Sequence, residues 1–333
     1  MILAKHLNPN IFTDKIEKAA NREGFGEGLL EAGKNNPLVV ALSADLTEST
    51  RTNLFAEAFP ERFLQVGVAE QNMASVASGL AAVGKIPFIA SYAMFSPGRN
   101  WEQIRTTIAY NDQNVKIIGA HSGVSVGPDG ATHQAIEDIA IMRAMPNMIV
   151  IAPADQNEAK KAVLFATEHK GPVYIRLGRA PVPTVTTAGT PFAFGKAELL
   201  MEPGEPMKQS VGIVVTGSLL YEALLAGKEL NEAGIGASVL HCPSIKPFDN
   251  AALLRLAEDN DLIVTVEEHQ VAGGLGGAVA EYLSENRPTK VIRLGVHDEF
   301  GQSGEPEELI AHYGMDKKAI LDAVYKVFGK KQR

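Results

Sequence analysis

The sequence has one cysteine, Cys242, so no disulfide framework within the chain is possible. A lone cysteine closing an apolar run reads as a small buried side chain. No run of about 18 apolar residues occurs, so no segment is expected to cross a membrane as a helix. The first 25 residues lack the apolar core of a secretory signal, and a cytoplasmic location is the expectation. Basic runs are missing too. The 31 Lys and Arg stand against 39 Asp and Glu, a net charge of −8, which argues against nucleic acid or anionic membrane as partner. Phosphate loops are also missing: no G-x-G-x-x-G follows a strand and no G-x-x-x-x-G-K-[ST] occurs. The GGLGG at 273–277 is therefore read as glycines that let a helix start close to a sheet, with His269 before it left open.

The chain does have a repeating rhythm. Short apolar runs such as PLVVALSAD, IPFIASYAMF, VKIIGAHSG, MIVIAPAD and PVYIRLGR alternate with helical patterns of about 10–15 residues. Strands apolar throughout imply parallel sheets covered on both faces. With 333 residues, the pattern predicts an α/β protein of two domains, each a mostly parallel sheet covered by helices. Residues 1–20 read as an N-terminal arm with one short amphipathic helix, and 21–180 as the first domain. The Pro-, Thr- and Gly-rich stretch 181–195 reads as a linker, and 196–333 as a second, smaller domain. Ligands of open α/β sheets sit at the carboxyl ends of strands. The polar residues there are Asp45, Tyr92, His121 and Arg176 in the first domain, and Cys242 and His269 in the second.

Two segments carry the chemistry. VGVAEQNMASVASGLA puts Glu70 at the start of a helix whose next turns are Ala, Ser and Gly. A carboxylate there is favoured by the helix dipole, and the small residues suit a close-packed subunit interface. AHSGVSVGPDGATHQ holds His121, Asp129 and His133 in a loop rich in Gly and Pro. Two imidazoles near neutral pKa suit proton transfer or hydrogen bonds to hydroxyls. A metal site is the competing reading, but an 11-residue gap between the histidines and no nearby cysteine depart from common zinc spacing. A capped turn, with Thr132 capping the next helix, accounts for part of the loop but not for both histidines.

VGVAEQNMASVASGLAAVGKIPFIASYAMF and HSGVSVGPDGATHQAIEDIAIMRAMPNMIVIAPAD, with ALSADLTEST upstream, resemble the pyrimidine-binding domain of transketolases. Residues 197–330 resemble the C-terminal domain of the same family. The resemblance implies thiamine diphosphate as cofactor. It gives Glu70 the hydrogen bond to the pyrimidine N1′ that favours the 4′-imino tautomer, the form that removes the thiazolium C2 proton. A dry site holding the Glu70 proton in part would serve that role. It also implies that Phe95 stacks on the pyrimidine, that Tyr92 is a second ring of the pocket, and that Asp45 and Leu46 lie near the cofactor's rings. His121 and His133 then bond donor oxygens and assist proton transfer, and Asp129 reads a substrate hydroxyl. Arg22, Ser49 and Arg176 form the sugar-phosphate group.

Two departures qualify the match. The family's G-D-G…N motif, which holds Mg²⁺ and the diphosphate, is absent, so a partner chain carrying it is expected, with no metal ligand on this chain. Such a split transketolase would assemble two-plus-two and move a two-carbon ketol unit between sugar phosphates of the pentose phosphate pathway. The stretch SPGRNWEQIR departs from the usual sequence after Phe95: Gly98 stands where one pocket aromatic is common, and Arg99 and Trp101 have no assigned role. The rivals are a 1-deoxyxylulose-5-phosphate synthase, which shares A-E-Q and D-G-x-T-H-Q, and a 2-oxo-acid dehydrogenase beta subunit. A non-catalytic scaffold would have no use for Glu70, Phe95, His121 and His133 together.

Overall fold

A computed structural model describes residues 1–329. The arm forms no helix. It holds β1 (Ile2–Leu3) and β2 (Lys18–Ala19) joined by turns. Pro9 lacks the backbone donor a helix needs there. The neighbouring Asn8 uses its side chain to accept from Asn10 N at 3.0 Å and to donate to Thr184 O at 2.8 Å, which competes with helix formation. Leu7 and Ile11 are buried in the core of the second domain, so the arm straps onto it.

The first domain runs α1 (Asn21–Asn35), β3 (Val39–Ser43), α2 (Asn53–Ala58), β4 (Phe63–Gln65), α3 (Glu70–Ala82), β5 (Ile86–Tyr92) and α4 (Trp101–Gln103). It continues with β6 (Lys116–Ala120), α5 (Asp138–Arg143), β7 (Ile149–Ile151), α6 (Gln156–Glu168) and β8 (Val173–Arg176). A π-helical stretch, Ile104–Ala109, extends α4. Strand β9 (Val182–Pro183) then pairs with β2. The second domain holds β10 (Glu198–Glu202), β11 (Ser210–Val215), α7 (Leu220–Glu232), β12 (Gly236–His241), β13 (Ser244–Lys246) and α8 (Asn250–Asp259). After these come β14 (Leu262–Gln270), α9 (Leu275–Asn286), β15 (Val291–Val296), α10 (Pro306–His312) and α11 (Lys317–Phe328).

Both sheets are mostly parallel. The first has the order β13-β7-β8-β6-β5-β3-β4, and β13 is antiparallel. The second has the order β1-β10-β12-β11-β14-β15, with β10 antiparallel to both of its neighbours, β1 and β12. Each sheet thus takes an edge strand from outside its own stretch of sequence. One face of the first sheet packs on α1 and α6 through Phe25, Leu29, Ala159 and Val163. The other packs on α3, the π-helical stretch and α5 through Met73, Ala77, Ile108 and Met142. Burial on both faces is why these strands read as apolar throughout.

Buried polar residues join the domains. Glu268 accepts from Ser125 N at 2.6 Å and from Ser218 Oγ at 2.9 Å. His241 Nε2 lies 2.8 Å from Glu158 Oε2 with both side chains buried. At the GGLGG stretch the buried Glu267 side chain accepts from Leu275 N and Gly276 N at 2.6 and 2.7 Å, so two of the N–H groups that open α9 are already satisfied within the chain. A Cβ on Gly274 would lie 2.0 Å from Glu267 Oε2, so only glycine fits. His269 is fully buried, with Ala140 N donating to Nε2 and Nδ1 against Gln270 O, a structural role. Cys242 is buried too, and burial pushes its thiol pKa up, leaving it inert.

Candidate active site at the carboxyl ends of the first sheet

From β3 the chain goes to β4 on one side and then returns to β5 on the other. That reversal opens a crevice at the carboxyl ends of β3, β5 and β6. The turn after β3 carries Asp45, exposed and with a φ of 63°; the end of β6 carries His121, buried and with a φ of 52°. Left-handed backbone at two non-glycine residues is uncommon and tends to gather at functional sites.

Glu70 is the first residue of α3 and its side chain is 1% exposed. Its Oε1 accepts from Ser91 Oγ at 3.3 Å and its Oε2 from Arg99 Nη1 at 2.6 Å. Asn100 Nδ2 donates to Glu70 O at 3.1 Å, tying the segment after Phe95 to the start of α3. Rings gather beside the carboxylate. Tyr92 stacks on His121 with centroids 4.0 Å apart, and Phe95 lies 6.1 Å from Tyr92. His133 meets Phe95 edge-on at 5.6 Å and Tyr92 at 6.1 Å. The two histidines, 12 positions apart in the loop, therefore share one aromatic cluster.

Arg22 Nη1 donates to Ser49 O at 3.1 Å and lies 3.4 Å from His121 Nε2. A guanidinium only donates, so His121 accepts through Nε2 and carries its proton on Nδ1. That Nδ1 is buried and has no partner among the described residues, which leaves a donor free for a ligand. Arg179, just past β8, donates to Val126 O at 2.9 Å and contributes a second positive charge at His121. Burial, then Arg22, Arg179 and His133, push the His121 pKa down to about 3. His121 is thus neutral in the folded chain, whereas an unfolded histidine takes its proton near pH 6.5. Below about pH 6.5 the unfolded state binds a proton that the folded state refuses, so stability falls as pH drops from there toward 3. His121→Asn should remove this slope. Between pH 7.5 and 5 wild type should lose about 2 kcal/mol more than the variant in denaturant titrations. Parallel losses would show that His121 titrates normally.

The structure thus brings together Glu70, Tyr92, Phe95, His121, His133, Arg22 and Ser49. Leu46 is half-buried in the turn after Asp45, with its N donating to Ser43 Oγ. Asp129 is exposed at the tip of the loop. That loop is held from the second domain: buried Gln134 donates to Val124 O at 2.9 Å and to Gln302 O at 3.0 Å. A Cβ on Gly301 would meet Gln134 Oε1 at 1.8 Å. Thr132 caps no helix; its hydroxyl lies 2.9 Å from His133 Nδ1.

Arg176 requires a correction. Its Nε donates to Asp138 Oδ2 at 2.8 Å, and its Nη2 to Ala135 O and Glu268 O at 3.2 and 2.8 Å, with the side chain 7% exposed. These bonds from Nε and Nη2 tie the side chain to Asp138 and to the second domain, a structural role in place of the phosphate role. Strand alternation explains why: Arg176 shares the face of fully buried Tyr174, whose hydroxyl also donates to Asp138 Oδ2 at 2.7 Å. Arg179, three residues on, lies near Arg22, as does Arg51, which pairs with Glu23. Sequence reasoning misses Arg179, and the one signal that could find it is its place as the first arginine beyond the strand.

Among the described residues, no group of three or more His, Cys, Asp or Glu is placed to hold a metal ion. Nor is any helix among them long and apolar enough to cross a membrane.

Residues 17–184 match the transketolase pyrimidine binding domain, and residues 203–320 match the transketolase C-terminal domain. A 6-deoxy-6-sulfo-D-fructose transketolase subunit of Clostridium sp. strain MSTE9 is 41% identical over 320 residues, covering 96% of this chain and 98% of that one. An apulose-4-phosphate transketolase subunit of Phocaeicola vulgatus is 39% identical over 302 residues, covering 90% and 95%. A solved split-gene transketolase, described as an inactive beta4 tetramer, superposes with a TM-score of 0.84 at 44% identity, covering 95% of this chain and all of that one. Domain content, relatives and superposition agree with the Glu70 and histidine-loop motifs: this chain belongs to the transketolase family, built from that family's pyrimidine-binding and C-terminal domains.

Proposed function

We propose that this chain is one subunit of a split transketolase that uses thiamine diphosphate and transfers a two-carbon ketol unit between sugar phosphates in the cytoplasm. The observation that carries this reading is the buried Glu70 carboxylate, joined through Arg99 to the face of Phe95, with His133 edge-on to Phe95 and Tyr92 and His121 stacked on Tyr92. The fit to the cofactor's pyrimidine half rests on three features. A buried acceptor, Glu70, stands at one edge of the slot. A planar nitrogen donor, the Arg99 guanidinium, already spans from Glu70 to the face of Phe95. The unpartnered Nδ1 of His121 leaves one buried donor for a ligand oxygen.

Thiamine diphosphate, when bound, supplies the carbon nucleophile that carries the ketol unit. The chain's own residues do the rest. Glu70 holds a proton at the pyrimidine N1′. Neutral His121 donates from Nδ1 to a substrate oxygen, and His133 exchanges protons at the donor's hydroxyl. Asp45 and Leu46 would flank the cofactor's rings, and Asp129, at the loop tip, would read a substrate hydroxyl. The diphosphate and Mg²⁺ belong to a partner subunit carrying the G-D-G…N motif. The relatives named as subunits over nearly their whole length support such a division. The outer face of α3 (Gln71, Asn72, Ser75, Gly79, Ala82), with Val68 and Val83, is exposed in this chain and is the surface we assign to subunit contact in a two-plus-two assembly.

The sugar's terminal anion falls to Arg22, Ser49 and Arg179. The relatives' named substrates, a sulfo sugar and a sugar phosphate, both end in an anion that a guanidinium can hold. Arg179→Ala should raise KM for a phosphorylated acceptor about tenfold and leave KM for its unphosphorylated analogue within about twofold, the loss expected for one charged hydrogen bond. Equal effects on both would remove the phosphate role. The direct test is ketol transfer from xylulose 5-phosphate to ribose 5-phosphate with thiamine diphosphate and Mg²⁺. It is run on this chain alone and mixed with a partner carrying G-D-G…N. Activity only in the mixture is expected. Consumption of pyruvate with glyceraldehyde 3-phosphate, or of a 2-oxo acid, in place of ketol transfer would replace the assignment by one of its rivals.

A further inference from the structure

Arg99 lies in the slot that this reading gives to the pyrimidine. Its Nη1 donates to Glu70 Oε2 at 2.6 Å, and its Cζ sits 4.7 Å from the centroid of the Phe95 ring. A guanidinium is flat, cationic and rich in N–H donors, so it satisfies at once the two surfaces a pyrimidine would use: a π face to stack on and a carboxylate to bond. Both groups cannot occupy that space together.

The surroundings suit an occupant that leaves. The backbone is anchored, since Asn100 Nδ2 bonds Glu70 O and Ser96 Oγ, and Arg99 N bonds Phe95 O. The Arg99 side chain is 44% exposed, and its guanidinium makes no other hydrogen bond among the described residues. Glu70 depends on it more than the reverse: its carboxylate is almost wholly buried, its other partner is the Ser91 hydroxyl at 3.3 Å, and no second cation among the described residues is within salt-bridge distance. A buried carboxylate without a counter-ion is strongly unfavourable.

We propose that Arg99 is an exchangeable counter-ion for Glu70. It fills the slot and holds the carboxylate in position in the free chain, and it swings toward solvent when the cofactor's pyrimidine takes its place. The proposal rests on the reading of Glu70 and Phe95 as the pyrimidine slot. It gives Arg99 a positioning role. Two consequences have opposite signs. The free chain is stabilised by Arg99. The cofactor competes with Arg99, so its apparent affinity is reduced by the fraction of molecules whose slot is closed.

The test is calorimetric titration of thiamine diphosphate with Mg²⁺ into this chain assembled with its diphosphate-binding partner, for wild type, Arg99→Ala and Arg99→Lys. Melting curves with and without cofactor accompany it. Arg99→Ala is expected to bind cofactor about fivefold more tightly, as for a competitor that closes most slots. Its cofactor-free melting temperature should fall while the cofactor-loaded value holds, so that the cofactor-induced shift widens. Arg99→Lys, which keeps the charge but cannot stack as a plane, should fall between. Equal or weaker binding by Arg99→Ala would overturn the proposal, since Arg99 would then be a bystander or a ligand of the cofactor. No binding by wild type would instead remove the thiamine-diphosphate reading and this inference with it.

Discussion

Replacing Glu70 with glutamine is expected to lower kcat for ketol transfer about a thousandfold, within the range seen when a positioned acid or base is removed. The change is nearly isosteric. A glutamine Oε1 still accepts from Ser91 Oγ, and Asn100 still bonds the Glu70 backbone carbonyl. What is lost is the acid–base function at the pyrimidine edge, because an amide neither takes up nor gives up a proton at working pH. A thousandfold loss corresponds to about 4 kcal/mol of transition-state stabilisation. The lost pairing with half-exposed Arg99 should cost far less stability than that, so the melting temperature should stay within a few degrees. The step itself is read by exchange of the cofactor's C2 proton into D₂O, followed by NMR. Slow exchange together with retained cofactor binding is the expected pair of results. Exchange and turnover near wild type would take Glu70 out of the mechanism.

The periodic strands and helices are legible in the sequence because they follow local rules: apolar runs for strands buried on both faces, and a 3.6-residue rhythm between them. Strands β10 and β13 and the shape of the arm are not legible in the same way. Strand β13 pairs with β7, more than ninety positions earlier, and Leu7 and Ile11 are buried only because the second domain folds beneath them. Pairings at such distances leave no local signal. The site divides similarly. Glu70, His121 and His133 stand out by motif, and their convergence on Tyr92 and Phe95 is a tertiary fact. Arg99 has no place that sequence alone can give it, because its partner Glu70 is 29 positions away and nothing in SPGRNW points back to it. Arg176 and Arg179 show the limit of reading a strand's last polar residue as its functional one. Alternation with buried Tyr174 turns Arg176 inward onto Asp138, and Arg179, the residue proposed for the sugar's anion, lies beyond the strand.

Arg176→Ala is therefore expected to act on stability, not on substrate. In wild type the guanidinium joins three parts of the molecule: β8, the start of α5 through Asp138, and the second domain through the Glu268 carbonyl. Truncation leaves Asp138 buried with only the Tyr174 hydroxyl on its Oδ2, and leaves the Ala135 and Glu268 carbonyls without this donor. Removing one member of a buried ion pair costs about 3–5 kcal/mol, because the surviving charge stays desolvated. For a chain of this size that is a fall in melting temperature on the order of 10 °C. Removing both charges should be milder. Arg176→Met with Asp138→Leu is expected to lose less than the sum of the two single changes, since the double variant leaves no buried charge unpaired. KM for phosphorylated sugars, measured well below the melting transition, should be unchanged in Arg176→Ala. An unaltered melting temperature with a raised KM would return Arg176 to the phosphate site. A destabilised variant with wild-type KM would leave that site to Arg22, Ser49 and Arg179.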